Sequence, residues 1–489
     1  MENGQMGDVD NRIALHQGSD PMKPTDEQSH ILNLLHTTKS NILIKALAGT
    51  GKTSTLELIE SASSGPILCL AFNKKIAEEM AKRFKTTTTV RTFNSLGHRI
   101  WQKAQSKNLT LDPKKTQNLL KEHINGLKKT DRVEVYEAYW EIVHGVGLAK
   151  SIGYVPESWT GSAKRLLDRN EFFASLDEKP TELVRNTIDE ILLASIRASY
   201  AGLIDFNDQI YMPALFGGTF PRFPLVLVDE RQDLSPTNHV MLEKLRGSRI
   251  IAVGDQYQSI YGFRGADESA LDSHRKAFRP IECDLTVSFR CPQQIVENVH
   301  WRVPHFKWNR TGGIVDRLSK LELNSVGDST AIICRNNAPL FRLGFKLLSN
   351  GISISVIGSD IGPKVVGIMG KLGGADMSRS ETLSAIEVWR EEHLARESAS
   401  ANDLADCMKV FADHGETLSQ AISYAEHLFK QRGLIRLLTG HKAKGLEWDT
   451  VYHLDPWLIG ESEQELNLKY VIGTRAKEAL YEIDSKDIQ

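Results

Sequence analysis

Cysteine is scarce in this chain of 489 residues: Cys69, Cys283, Cys291, Cys334 and Cys407 fall singly, with no C-x-x-C pair. That usage argues against a disulfide framework or a cysteine-based zinc site and suits a reducing compartment. Long apolar runs are missing too. None approaches a membrane span, so no membrane partner is expected. The opening MENGQMGDVDNRIALHQGSDP has no apolar segment of the signal-peptide kind, and residues 1–22 read as a polar, disordered leader. Basic charge is not in excess. Lysine and arginine number 60 against 62 aspartates and glutamates, a formal net charge of −2, so no global footprint for nucleic acid exists. Any such contact has to come from local patches and stacking rings.

What is present starts with ordinary globular composition, 41% hydrophobic and 25% charged, at a length that asks for roughly two to four domains. Residues Lys45 to Ile59 read KALAGTGKTSTLELI, an apolar strand running through a glycine turn into a helix. This fits a phosphate-binding loop, with Ala46 where the consensus has its first glycine. Ala48, Gly49, Thr50 and Gly51 would turn the backbone so that N–H groups aim at phosphate oxygens. The helix that follows adds its unsatisfied donors and positive dipole end. Lys52 supplies a point charge to the outer phosphates, Thr53 a hydroxyl for Mg²⁺, and Ser54 continues the cradle. A glycine-rich turn that binds nothing is the bland alternative, disfavoured by NILIKAL before the loop and STLELIESA after it. The loop points to a nucleoside triphosphate and is silent on how its energy is used.

Buried-strand patterns recur in GPILCLAF, FPLVLVDE and SRIIAVGD, with the amphipathic NKKIAEEMAKRF between the first two. Helical periods dominate from about Asn94 to Tyr200 (TQNLLKEHINGL, VEVYEAYWEIVHGV, TELVRNTIDEILLASI). A second alternating set begins near IECDLTVSFR, runs through STAIICRN and ISISVIGS, and returns with GLIRLLTG, DTVYHLD and a final helix. Short strands alternating with helices predict parallel α/β sheets with ligands at the strands' carboxyl ends. Asp229 and Glu230 then close an apolar strand opposite the phosphate loop, where one carboxylate can hold Mg²⁺ and its neighbour can orient and deprotonate water. A solvated acidic pair is the alternative; Lys52 and Thr53 weigh against it.

The ordered series VDERQDL at 228–234, VGDQYQSIYGFRGA at 253–266, LLTGHKAKGLEW at 437–448 and YVIGTRAKEAL at 470–480, taken with the phosphate loop, resembles the UvrD/Rep/PcrA-like DNA helicases of superfamily 1. The F-box DNA helicase branch and small phage or defence-type relatives look nearest, and the likeness covers the chain from Pro24 onward. The fold implied is α/β, two RecA-like parallel-sheet lobes of P-loop NTPase type with helical insertions. The first lobe would take 23–93 and 201–284, with a helical insertion at 94–200. The second would take 285–363 and 433–489, with a small helical insertion at 364–432.

The resemblance assigns Asp229 to the metal, Glu230 to the water and Gln258 to sensing the γ-phosphate. It assigns Arg264, Arg290 and Arg475 to the phosphates, where planar bidentate donors suit developing charge. Gln28 would read adenine, Phe289 would stack on it and Glu447 would contact the ribose; an ordinary helix-start glutamine is the alternative for Gln28. Strand contacts would come from Phe72, Thr92, Phe93, Asn94, Tyr261, Phe263 and His441, by ring stacking and backbone contact. Buried core rings are the alternative for Phe72 and Phe93. Arg231 replaces the family's usual alanine, Asn94 its histidine and Phe263 its tryptophan.

Implied cofactors are ATP and Mg²⁺. Implied partners are single-stranded and tailed duplex DNA, with replication, repair or defence proteins beyond them. The implied location is cytoplasmic in a bacterial or phage-infected cell, or nuclear in a eukaryote. The expected activity is ATP-driven translocation on single-stranded DNA with strand separation, 3′→5′ by resemblance. A DNA-stimulated ATPase that displaces proteins or serves a defence complex without robust unwinding is the alternative. A nucleotide-dependent binding switch is a third reading, and it could dispense with Glu230, Gln258, Arg290 and Arg475, all of which are present.

Overall fold

The computed structural model describes residues 23–488 apart from 177–178, 246, 261, 263–274, 321–326, 328, 359–360 and 395–400. Two six-stranded sheets organise it, and every strand pairing within them is parallel. The first runs Thr88–Thr92, Ile67–Ala71, Leu225–Val228, Arg249–Gly254, Ile42–Ala46 and Ile281–Leu285 across its width. The second runs Ile314–Leu318, Ala476–Ile483, Trp448–Leu454, Thr330–Cys334, Ile435–Thr439 and Ile354–Val356. Ile67–Ala71 and Leu225–Val228 are buried at every position, as strands covered on both faces must be.

Several helices start where side chains cap them. Thr25 and Gln28 form a capping box on Asp26–Thr37, Asn73 caps Lys74–Arg83, and Thr92 caps Phe93–Gln105 through the Ser95 N–H. Between residues 94 and 200 helices predominate, as the periods predict, with the short strand Thr110–Leu111, a non-helical stretch at 153–168 and one further difference. The stretch VEVYEAYWEIVHGV is two helices, Lys129–Glu137 and Tyr139–Ile152, meeting at Ala138. These helices share one apolar cluster with a face of the first sheet, in which Trp101, Leu120, Ile142 and Ile188 join Leu68, Val226 and Ile250.

Two expectations need correcting. Ile281–Leu285 does not open the second α/β set; it is the edge strand of the first sheet, paired with Ile42–Ala46. The final helix is Glu463–Gly473, and the chain continues into a strand, Ala476–Ile483, held between two parallel neighbours. AKEALYEI is built of good helix formers, so pairing on both edges overrides local propensity there.

Where the helices of 94–200 meet the turn at Asp205 and the helix Asp208–Leu215 lies a buried charge tetrad. Lys115 Nζ meets Asp208 Oδ2 at 2.7 Å, and Lys150 Nζ meets Asp205 Oδ2 at 2.6 Å and Asp208 Oδ1 at 2.8 Å. Lys115 also donates to the Ser195 carbonyl and the Ser199 hydroxyl.

The second sheet buries His453, 3% exposed, whose Nε2 has no hydrogen-bond partner among the described residues. Burial, helped by Lys469, pushes its pKa from 6.5 down to about 3. The unfolded chain takes up this proton near pH 6.5 and the native protein resists it, so stability falls as pH drops through that window. The expected slope is about 1.4 kcal/mol per pH unit below 6.5. Urea midpoints measured at several pH values should show His453→Leu flattening the acid slope by one proton; an unchanged slope refutes the assignment.

Candidate functional site

The phosphate loop follows Ile42–Ala46 and delivers Lys52 as the first residue of the helix Lys52–Ala62, behind Gly51 in the left-handed region (φ +83°). Gly49 is left-handed too (φ +70°), and a Cβ there would lie 2.5 Å from Arg290 Cβ and 2.8 Å from Ser288 Oγ. No side chain fits between the loop and the segment carrying Arg290. That segment is stitched on: Phe289 N–H donates to the Gly49 carbonyl and Ser288 Oγ to the Ala48 carbonyl.

Opposite the loop, Leu225–Val228 ends in Asp229 and Glu230. Glu230 is held in the left-handed region (φ +47°), uncommon for a residue with a side chain and a conformation that costs about 1–3 kcal/mol. Its carboxylate accepts from Gln232 Nε2 at 2.5 Å and lies 3.8 Å from Lys52 Nζ. Burial alone would raise the Glu230 pKa, but Lys52 and Lys444, with Arg475 and the Gln232 bond, hold it well below the usual carboxylate range. Burial and the adjacent Glu230 charge push Asp229 the other way. Asp229 is 3% exposed, and its Oδ1 has no hydrogen-bond partner among the described residues. A buried, unpartnered carboxylate oxygen within the electrostatic reach of the phosphate-loop Lys52 suits a hard divalent cation, so Asp229 and the Thr53 hydroxyl that the loop's pattern supplies are the groups that would hold Mg²⁺.

The second sheet reaches into this site. Arg475 is fully buried, donates to the Val471 and Leu446 carbonyls and to Thr474 Oγ1, and is pushed down to about 10 by burial first and then by Arg290. Arg290 donates to Glu447 at 2.5 Å and reaches the Thr474 carbonyl at 3.5 Å. Glu447, expected at the ribose, is thus engaged with Arg290. Gln258 is buried and donates to Asp255 Oδ2 at 2.7 Å. Arg231, which stands where the family usually has alanine, points inward: it is 2% exposed and lines a small cavity with Lys45, Gln232, Gly254 and Gln256. Gln28 is buried beside Gly51, with its amide shared between the Thr25 N–H and Thr55 Oγ1. Both ends of that amide are used within the protein. Phe289 is 50% exposed, an open ring next to the loop.

The expected strand-contact residues divide. Phe93 is a correction: at 4% exposure it sits in the apolar cluster shared by the sheet and the insertion, and it offers no face to a base. Thr92 is a helix cap. Phe72 and His441 are half-buried, and Asn94 donates to the Phe206 carbonyl at 2.7 Å. Tyr261, Phe263 and Arg264 lie outside the described residues.

Sequence reasoning missed three groups. Phe206 is a 52% exposed ring on the turn beside Asn94. Lys444 donates to both oxygens of Asp233 at 2.7 Å and to the Gln258 carbonyl at 2.5 Å, tying the second lobe to the first. Tyr470 does the same at the phosphate loop. Both lie inside motifs quoted from the sequence, in HKAKGLE and YVIGTR, but nothing local distinguishes them from their neighbours.

Two parallel-sheet lobes, a phosphate loop at a strand's carboxyl end and arginines brought from the other lobe define a two-lobed RecA-like P-loop protein. Residues 25–279 match the family model of the UvrD/REP helicase N-terminal domain, and 434–481 that of the UvrD-like helicase C-terminal domain. The chain belongs to the UvrD-like helicase family. It is 24% identical to F-box DNA helicase protein 1 of Schizosaccharomyces pombe, over 93% of this chain and 57% of that protein. It is 26% identical to F-box DNA helicase 1 of Gallus gallus, over 94% and 49%. It is 28% identical to DNA helicase IV of Escherichia coli, over 57% and 46%. The chain thus spans about half the length of these curated relatives.

Proposed function

We propose that the protein is an ATP-dependent translocase on single-stranded DNA that separates duplexes, moving 3′→5′. The observation that carries this reading is the way the second lobe closes on the phosphate loop: Arg290 packs against Gly49, and Arg475 lies close enough to act on Glu230. Nucleotide bound here is gripped from both sides, so hydrolysis changes the gap between lobes. Lys52 neutralises phosphate charge, Glu230 takes the proton of the attacking water, and Arg290 and Arg475 stabilise charge on the transferring group. Mg²⁺, when bound by Asp229 and Thr53, neutralises charge on the outer phosphates. Phe72, His441 and Phe206, with Tyr261 and Phe263 of the stretch after Gln258, are the contacts assigned to the strand. Among the described residues no helix is long and apolar enough to cross a membrane.

The test is ATP turnover with and without single-stranded DNA. Strong stimulation of the wild type is expected, with Lys52→Ala reducing turnover at least about a hundredfold. Turnover indifferent to DNA rejects the motor reading. Duplexes with opposite single-stranded tails report polarity; stimulation without unwinding of either would favour the protein-displacing ATPase instead.

A further inference from the structure

Tyr470 lies on the second lobe's helix Glu463–Gly473, yet its hydroxyl bonds only to the first lobe among the contacts resolved for it. The Ala48 N–H of the phosphate loop donates to it at 3.1 Å, and it donates to Asp255 Oδ2 at 3.2 Å. Asp255 closes the strand Arg249–Gly254 and accepts from Gln258 Nε2 on the same oxygen, and from the Tyr257 N–H on the other. Behind the ring, the Tyr470 carbonyl accepts from Thr474 Oγ1, which also accepts from Arg475 Nη2. One phenol therefore stands between the phosphate loop, the γ-phosphate-sensing loop and the turn that carries Arg475. All of it is out of water: Tyr470 and Ala48 are 0% exposed, Asp255 1% and Gln258 3%.

We propose that the Tyr470 hydroxyl is a positioning group through which the second lobe sets the phosphate loop and the sensing loop together, coupling strand binding to ATP turnover. Withdrawing the second lobe leaves a buried N–H without its acceptor and takes a donor from a buried carboxylate. Both penalties fall on parts of the first lobe that face nucleotide. The position of one lobe is thus felt at two places in the other through a single oxygen. Tyr257, edge-on to the Tyr470 ring at 5.9 Å and capped by Arg302, carries the contact into the loop that leads to residue 261.

This inference rests on the DNA-stimulated ATPase reading above, and the experiment separates the two. The full chain is assayed for ATP turnover with and without saturating oligo-dT, as wild type, Tyr470→Phe, Asp255→Asn and the double variant. Tyr470→Phe removes one oxygen and keeps the ring packing. Its DNA stimulation factor is expected to fall roughly three- to tenfold, the scale of one net hydrogen bond, with the ATP KM within about twofold of wild type. Asp255→Asn, which perturbs the same bridge from its other end, should lower the factor similarly, and the double variant no further than either alone. Full stimulation in Tyr470→Phe, equal losses with and without DNA, or additive losses in the double variant would each overturn the proposal. A wild type that DNA does not stimulate would fail the functional reading itself.

Discussion

Glu230→Gln is expected to bind ATP within a few-fold of wild type and to turn it over roughly 10²- to 10⁴-fold more slowly, the range supplied by a positioned general base. The residue ends the strand Leu225–Val228, and its left-handed backbone aims the carboxylate across to Lys52. Lys52 and Lys444 keep it anionic despite burial, so it can accept a proton throughout the neutral range. Glutamine keeps the size and the bond to Gln232 but cannot take the proton. Single-turnover hydrolysis beside fluorescent-nucleotide binding separates the two effects. A variant retaining a tenth of wild-type turnover would remove Glu230 from the role.

The second large effect is on stability. Asp208→Asn should cost about 3–5 kcal/mol, because Lys115 and Lys150 would then share Asp205 as their remaining carboxylate in the tetrad while staying fully buried. Asp208 also accepts the Asp205 N–H and anchors the turn that carries Phe206. Urea unfolding gives the magnitude, and hydrogen exchange should place the loss in the helices carrying Lys115 and Lys150 and in the turn at 205–208. Adding Lys115→Met removes one stranded ammonium and should recover part of the loss. An Asp208→Asn protein within about 1 kcal/mol of wild type would mean that water reaches the tetrad.

Much of the candidate nucleotide site could be proposed from the sequence because its residues are local. A phosphate loop needs its glycines, lysine and threonine in one run, and the acidic pair announces itself as the end of an apolar strand. For Phe93 the buried-core alternative holds, and a ring beside Thr92 could not decide it, because the sequence there says nothing of which side the insertion packs on. Ile281–Leu285 and Ala476–Ile483 were misplaced for the same reason: a strand's sheet is decided by neighbours far along the chain. Lys444 and Tyr470 acquire their roles when two lobes meet, and no spacing rule encodes that meeting. Arg231, a departure from the family pattern, proved to be buried.

The seam between the lobes has an oily component as well as its polar bonds. Leu47, Ala48 and Ile260 of the first lobe pack in one cluster with Ile295, Val296, Val471 and Ile472 of the second. Prising the lobes apart wets that surface, and apolar burial loses strength as water cools. Chilling is therefore expected to weaken this apolar part of the clasp, leaving the polar bonds of the seam to hold the lobes together.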